Sequence, residues 1–297
     1  MKLSQFVLTI FVAAGVGFVS TQYFAPSSNG EVAVQKESVY ERIIRTGEIR
    51  CAYALWPPFF AKDAKSGDLS GFNYDIIESV GRELGLKINW VEEVGFGNYI
   101  EGLKTGRYDA MCQTVWPDAG RFKNALTTIP AHYHRVHVVV RADDKRFDND
   151  WQKLNGPEFK VAVVDSDITQ TIANTDFPKT KQVATPQAAD ASQIFIDVAT
   201  GKADATFVDY GFFLNYEKQN PGKLKIIGNV LRVYGSVFSV NNGEVEFKIL
   251  LDNALTALIN NGRIEEILRS HPTTAMAPSS TFKPLTQKII DQVKLSR

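Results

Sequence analysis

Cysteine, histidine and net charge are all scarce in this sequence. Its 297 residues include two cysteines and four histidines, and the basic residues balance the acidic ones to a formal net charge of zero. A chain without excess charge has no electrostatic means of wrapping nucleic acid or of adhering to an anionic surface. We therefore expect no nucleic-acid partner, and any attraction for a ligand has to come from a local site.

Motifs that carry catalytic or cofactor chemistry are also missing. The sequence contains no Cys/His metal spacing, no Gly-rich phosphate loop, no Ser/His/Asp triad and no pair of carboxylates at a catalytic spacing. His132, His134 and His137 lie within AHYHRVHVV, and the first two would share one face of a strand, which would suit a metal. Because no third ligand is in view, we interpret them as surface or hinge-side histidines. We predict no metal, no cofactor and no enzymatic activity.

The N-terminal segment indicates export from the cytoplasm. The segment Phe6 to Phe24 carries no charge and follows Lys2. Its length is intermediate between that of a long signal-peptide core and that of a short transmembrane helix. We predict a signal peptide or membrane anchor over residues 1–25, a polar linker over 26–39 and a C-terminal extension over 272–297. The protein is then periplasmic or extracellular, either secreted or tethered by its N-terminal segment.

Cys51 and Cys112 each lie inside an apolar, strand-like run. A buried free cysteine behaves as a small hydrophobic residue, and free buried thiols are our expectation. An exported compartment would also permit a disulfide if the two strands were neighbours.

A short phrase occurs twice, as TGRYDA at residues 105–110 and as TGKADA at residues 200–205. In both places an amphipathic helical stretch precedes the phrase and an apolar, strand-like run comes after it. A glycine that ends a helix before a strand is typical of βαβ units. The repeat predicts two similar α/β lobes, with ligand-facing edges at Thr114 to Arg121 and at Asp209 to Gly211.

Hydrophobic periodicity and capping residues predict the other elements. Asp118 is expected to cap a helix that runs through Arg121. The predicted strands are Glu48–Ala54, Lys87–Val91, His137–Arg141, Lys160–Val164, Lys181–Ala184, Lys225–Ile227 and Tyr234–Val240. Three predicted helices begin at Asn73, Asn98 and Ser166. Two more are predicted over Glu246–Ile259 and Ile264–Leu268.

An ordered series of segments resembles a known family. Between about Tyr40 and His271 the chain contains, in this order, GEIRCAY, WPPFF, GFNYDIIESVGRELGLKI, GFGNYIEGLKTGRYDA, GKADATFVDYG and YGSVFSVNNGEVEFKILLDNALTALINNGRIEEIL. Together they resemble the extracellular solute-binding proteins of family 3, which feed polar amino-acid ABC importers.

The resemblance implies an α/β, two-lobed periplasmic binding protein of the type II fold. Two hinge strands would join the lobes, with a ligand cleft between them. Lobe 1 would comprise residues 40–139 and 237–271, and lobe 2 residues 142–234. The implied partners are a small polar, amino-acid-like ligand and the membrane subunits of an ABC transporter, and we expect a monomer.

The resemblance also implies roles for four residues. Arg121 matches the arginine that clamps a ligand carboxylate. A planar guanidinium can donate two parallel hydrogen bonds to a carboxylate, and the start of a helix adds positive potential. Asp209 matches the acid that accepts the ligand's α-ammonium, although it could simply be a capping residue. Trp56 and Phe96 match the two aromatics that sandwich the ligand side chain, and either could instead be a packing residue.

The sequence departs from the family at four further positions. Relatives place a small hydroxyl residue five positions before the arginine, where this chain has Trp116, with Thr114 two residues further back. The second-lobe helix start, usually Gly-Thr, reads Ser166-Asp167, and Asp167 would repel a carboxylate unless the ligand carries a cation. We include these four residues in the predicted site and expect a smaller or differently charged pocket.

Two other functions stay open. Some relatives are dehydratases that use an acid near the position of Asp209. Others are membrane-tethered sensory domains that carry a signalling or enzymatic module after the last helix. The sequence ends at Arg297, so we expect a binding protein rather than a sensor.

Overall fold

The computed structural model describes residues 37–148, 150–187 and 189–271. The predicted segment Phe6–Phe24 and the extension 272–297 lie outside those residues. Within the described ranges, no helix is long and apolar enough to span a membrane. The described residues from Ser38 to His271 belong to one compact unit.

The first part of this unit alternates strands and helices around a mostly parallel sheet. Strand β1 pairs in parallel with both β4 and β5, so β1 lies between them. A short hairpin, β2 and β3, precedes the second helix. The elements are α1 (Val39–Thr46), β1 (Glu48–Tyr53), β2 (Ala61–Lys62), β3 (Leu69–Ser70), α2 (Phe72–Leu84), β4 (Lys87–Glu93), α3 (Tyr99–Thr105), β5 (Ala110–Val115), α4 (Ala119–Asn124), β6 (Ala125–Thr127) and β7 (His132–Arg141).

The second part repeats the alternation. Strand β8 pairs in parallel with both β9 and β10. A single turn of 3₁₀ helix, Trp151–Leu154, precedes β8. The elements are β8 (Lys160–Val164), α5 (Ile168–Asp176), β9 (Lys181–Thr185), α6 (Gln193–Ala199), β10 (Ala205–Asp209), α7 (Tyr210–Gln219), β11 (Leu224–Asn241), α8 (Val245–Asn260) and α9 (Arg263–Ser270).

Strand β11 connects the two groups of strands. Its residues from Val237 onward pair with β5 and β6, whereas its residues from Leu224 to Ser236 pair with β7. Strand β7 in turn pairs with β10. We call β4, β1, β5, β6 and the end of β11 the first sheet, and β7, β10, β8, β9 and the start of β11 the second sheet.

The prediction of two separate strands at Lys225–Ile227 and Tyr234–Val240 was wrong, because one strand covers both. Ile227 pairs with Val138 and Arg232 with Val136, so the residues between them form a wide bulge opposite His137. Gly228 adopts a left-handed φ of 64° there, and a Cβ at this position would lie 2.3 Å from the Trp151 ring. The bulge interrupts the pairing without ending the strand.

The repeated phrase lies at equivalent points of the two sheets. Gly106 caps α3 with a φ of 70°, and Gly201, with a φ of 78°, lies just beyond the last helical residues of α6. The buried strands β5 and β10 come next, and every residue of both is buried. The βαβ interpretation of the repeat is thus confirmed at the level of the local fold.

Two helices were not predicted, although α1 carries a clear sequence signal. Ser38 accepts a hydrogen bond from the Glu41 backbone, and the Glu41 side chain accepts one from the Ser38 backbone, which is a complete capping box. The other unpredicted helix, α7, begins directly after β10, with Asp209 as its N-cap.

The expectation of free thiols was wrong: Cys51 and Cys112 form a disulfide. Their strands β1 and β5 are neighbours, and Cys51 pairs with Ala110, two residues before Cys112. The two Cα atoms lie 5.4 Å apart, inside the range that a disulfide requires. Both cysteines are fully buried in the larger hydrophobic core.

Candidate functional site

A cavity of about 50 Å³ lies between residues of the first sheet and residues of the second sheet. That volume has room for a few water molecules. Among the predicted site residues, Ser166 does not line this cavity. The lining residues are Trp56, Phe59, Asn73, Phe96, Gln113, Thr114, Val115, Trp116, Arg121, His134, Asp167, Ile168, Thr169, Phe207, Val208 and Asp209.

Arg121 is positioned by the cap of its own helix. Asp118 accepts hydrogen bonds from the backbone N–H groups of Gly120 and Arg121, as predicted, and so fixes the start of α4. The guanidinium is almost fully buried. It donates to the Trp116 carbonyl through Nη1 at 2.5 Å and to the Phe96 carbonyl through Nη2 at 3.4 Å.

Two carboxylates flank the same guanidinium. Asp118 Oδ2 lies 3.6 Å from Nη1, and Asp167 Oδ2 lies 4.0 Å from Nη2. Asp118 belongs to the loop after β5, whereas Asp167 lies in the loop after β8 in the second sheet. Arg121 therefore meets an acidic side chain from each side of the cavity.

Asp167 is the N-cap of α5, and Ser166 supplies the turn before it. The Asp167 carboxylate accepts from the Thr169 backbone at 3.1 Å. Ser166 is exposed and has a left-handed φ of 57°, a conformation that favours glycine. A left-handed backbone at Ser166 is compatible with the glycine of the Gly-Thr pattern, and Asp167 caps the helix that follows.

Asp209 ends β10 with its carboxylate buried at the cavity wall. Oδ1 accepts from the Phe212 backbone at 2.9 Å, whereas Oδ2 has no hydrogen-bond partner of normal geometry among the described residues. Burial raises the pKa of this carboxyl to about 7, against the opposing effects of the Phe212 and Gly211 N–H groups and the Trp56 indole. The group thus carries a negative charge only partly at neutral pH.

Polar side chains from β5, α2 and β7 form a buried network behind the cavity. Thr114 Oγ1 donates to Asn73 Oδ1 at 3.0 Å and lies 3.2 Å from His132 Nε2, which is 3.1 Å from the same Asn73 oxygen. Asn73 was predicted only as the start of a helix. Instead α2 begins at Phe72, and the Asn73 side chain is buried in this network.

His132 and His134, interpreted from the sequence as surface or hinge-side histidines, both lie on β7 and are buried, which rules out a surface position for them. Burial holds the pKa of His132 well below its usual value, and it lowers the pKa of His134 to about 3. His134 lines the cavity as a neutral ring, with Nδ1 3.9 Å from Asp209 Oδ1. Among the described residues, no group of three or more His, Cys, Asp or Glu side chains could hold a metal.

Aromatic rings close much of the cavity. Trp56 and Phe96 contact each other edge to face, with ring centroids 5.7 Å apart and planes at 83°. They are therefore not held apart as two parallel faces around an open slot in this state, and their role as a sandwich stays a prediction. Trp116 stacks on Tyr234 of β11 with planes only 5° apart, which anchors it to the strand that joins the two sheets.

Sequence reasoning did not select Gln113, which lines the cavity and is buried. Its Oε1 has no hydrogen-bond partner among the described residues. A signal was available, because Gln113 precedes Thr114 as a second polar residue in the largely apolar run AMCQTV, which ends at the predicted ligand edge. A polar side chain on a fully buried strand needs a partner, and here the cavity is where one can lie.

Replacing Arg121 by lysine is expected to lower the free energy of unfolding by about 1–2 kcal/mol. A lysine ammonium cannot donate to the Trp116 and Phe96 carbonyls at the same time, as the guanidinium does. Urea unfolding of purified protein measures the change. Arg107→Lys is the matched control, since Arg107 is half exposed in its pair with Glu92 and such pairs contribute little. Equal midpoints for the two variants would contradict the structural role of Arg121.

The fold and this cavity define a two-lobed solute-binding protein of the type II periplasmic class. The family model for bacterial extracellular solute-binding proteins, family 3, matches residues 49–273. The chain belongs to that family, as its ordered motifs predicted, and family membership places it outside the cytoplasm.

Individual relatives agree with this assignment. A probable amino-acid ABC transporter-binding protein of Haemophilus influenzae is 26% identical over 245 residues, which cover 81% of this chain and 88% of that protein. A similar solved structure is an ancestral amino-acid-binding protein, a precursor of cyclohexadienyl dehydratase, at 23% identity and a TM-score of 0.69, covering 79% and 99%. Another is an amino-acid ABC transporter substrate-binding protein of Streptococcus pneumoniae bound to L-arginine, at 17% identity and a TM-score of 0.66, covering 80% and 99%. These structural likenesses establish the fold.

Proposed function

We propose that this protein captures a small cationic, amino-acid-like solute between its two lobes and delivers it to the membrane subunits of an ABC importer. The observation that carries the proposal is the pair of buried acceptors, Asp209 Oδ2 and Gln113 Oε1, which have no hydrogen-bond partner of normal geometry among the described residues. A buried acceptor left unsatisfied costs about 1–3 kcal/mol. A ligand that brings ammonium or guanidinium N–H groups would remove that cost.

The charges of the lining residues support a cation. Arg121 is the one lysine or arginine among the described residues that line the cavity, and it faces Asp167 from the opposite wall. His134 is neutral because burial lowers its pKa to about 3. The relative from Streptococcus pneumoniae binds L-arginine, which is a cation of this kind.

The architecture supports capture by closure. We infer lobes at residues 40–139 with 237–271 and at 142–234, with β7 and β11 as the connecting strands. Binding proteins of this design close by a hinge around their ligand. We infer further that the protein works as a monomer and that the apolar segment Phe6–Phe24 directs its export.

A thermal-shift screen of amino acids and amines tests the proposal. A cationic compound at one hundred times its Kd is expected to stabilise the protein by about 2.7 kcal/mol, because it binds only the folded state. Acidic amino acids at the same concentration are the control and should produce no shift. Stabilisation by acidic compounds alone, or by none of the compounds, would contradict the proposal.

An enzyme on the same fold is a second candidate, favoured by one observation. Burial raises the pKa of the Asp209 carboxyl to about 7, which is suited to donating a proton near neutral pH. One similar structure is a precursor of a cyclohexadienyl dehydratase. A product assay with shikimate-pathway acids distinguishes the two functions, since a binding protein forms no product.

A further inference from the structure

Asp167 and Arg121 form an ion pair across the cavity. Asp167 reaches in from the N-terminus of α5, which follows β8 of the second sheet, and Arg121 from α4, which follows β5 of the first sheet. Their closest atoms, Oδ2 and Nη2, are 4.0 Å apart, and the two side chains are 10% and 7% exposed. Each is also held by backbone groups, Asp167 by the Thr169 N–H and Arg121 by two carbonyls. Each side chain is thus oriented by its own backbone contacts, and in this arrangement the two meet across the cavity.

Two carboxylates already lie close to the Arg121 guanidinium. Asp118 lies 3.6 Å from Nη1 on one side and Asp167 4.0 Å from Nη2 on the other. A ligand carboxylate that approached this guanidinium would be a third negative group around one cation. It would have to displace Asp167 or remain beside it, and like charges this close repel strongly in a buried site.

The polar groups of the cavity that still need partners are acceptors. Asp209 Oδ2 and Gln113 Oε1 are buried oxygens without a hydrogen-bond partner of normal geometry among the described residues, and both side chains are at least nine-tenths buried. A ligand that satisfies them needs N–H groups. Neither of these two atoms requires a hydrogen-bond acceptor on the ligand.

We propose that Asp167 is a built-in carboxylate partner of Arg121, and that the solute is therefore a cationic amine or guanidine without a free carboxylate. This inference rests on the proposed function, because it specifies which cation the same cavity binds. Asp167 excludes the carboxylate, while Asp209 and Gln113 accept from the cationic group.

Calorimetry with three related compounds tests the inference on the purified protein. L-Arginine carries a carboxylate, L-argininamide replaces it by an uncharged amide, and agmatine lacks it. The amide and agmatine are expected to bind at least about tenfold more tightly than L-arginine, given the repulsion of buried like charges. The pairs L-lysine and cadaverine, and L-histidine and histamine, extend the comparison to other cationic groups.

The variant Asp167→Asn assigns the preference to this side chain. Asparagine is as good an N-cap as aspartate, so α5 should remain intact while the negative charge is lost. The preference for L-argininamide over L-arginine is expected to shrink by about tenfold or more. Asp165→Asn makes the same charge change two residues away, outside the cavity lining, and should leave the preference unchanged.

The outcomes separate this inference from the proposed function. If L-arginine binds as tightly as L-argininamide or more tightly, the inference is overturned and the binding of a cationic solute stands. A preference that survives Asp167→Asn overturns the role of Asp167. If none of the compounds in the three groups binds, the proposal of a cationic ligand is wrong, and both the proposed function and this inference are contradicted.

Discussion

Reduction of the Cys51–Cys112 disulfide is expected to lower the free energy of unfolding by about 4 kcal/mol. The cysteines are 61 residues apart, so the bond removes much of the conformational freedom that this long loop would have in the unfolded chain. It also joins adjacent strands of the first sheet that carry the larger core. Urea unfolding monitored by circular dichroism, with and without a reductant, measures the difference.

The double variant Cys51→Ala, Cys112→Ala is the control for this experiment. It should unfold at a lower urea concentration than the oxidised protein, and reductant should not change its midpoint. A reductant effect on the variant would indicate that something other than the disulfide is responsible. Equal midpoints of the oxidised and the reduced wild-type protein would contradict the expected stabilisation.

Local patterns in the sequence were sufficient for most of the fold. The strand Lys160–Val164 was predicted with its observed limits, and the N-cap Asp118 was predicted correctly, because a four-residue apolar run and a capping aspartate are short-range signals. Strand β11 was divided in two because the Gly228 bulge resembles a turn when only neighbouring residues are considered. Its continuity depends on pairing with β7, which a local pattern does not contain.

The site was predictable wherever a residue lies at the end of a strand that the repeated phrase identifies. Thr114, Arg121 and Asp209 were all selected from that position, and all line the cavity. Gln113 was not selected although its polarity within AMCQTV was a signal, and His134 was considered only as a possible metal ligand. That both side chains are buried and line the cavity is a property of the folded chain. The ion pair between Asp167 and Arg121 joins elements of different sheets, and sequence separation alone could not indicate it.

Replacing Asp209 by asparagine is expected to have opposite effects on binding and on stability. The variant keeps an oxygen that can accept from the Phe212 backbone, so α7 retains its cap. It loses the carboxylate charge that would face a bound cation. The affinity for a cationic solute should fall by about 2–5 kcal/mol, the usual cost of truncating one partner of a buried charge pair. Calorimetry with a compound identified by the thermal-shift screen measures this loss.

The stability effect depends on pH with a definite sign. Burial raises the pKa of Asp209 to about 7 in the folded protein, from its ordinary value of 3.8, so the folded state holds a proton that the unfolded state has already released between these two values. The contribution of Asp209 to the wild-type free energy of unfolding therefore falls as pH rises from about 4 to about 7. Asparagine does not titrate, so the variant lacks this pH dependence. Between pH 5 and pH 8, the stability of Asp209→Asn relative to wild type should increase by about 2–3 kcal/mol.

The same titration predicts how binding responds to pH. A protonated Asp209 has to release its proton before it can balance a cation, so wild-type affinity should fall by about tenfold for each pH unit below the pKa. The affinity of Asp209→Asn should not change over this range. Parallel pH profiles for the two proteins would show that Asp209 does not face the cation. The contact would then have to come from Gln113 and Asp167, and the buried carboxyl of Asp209 would serve only as the cap of α7.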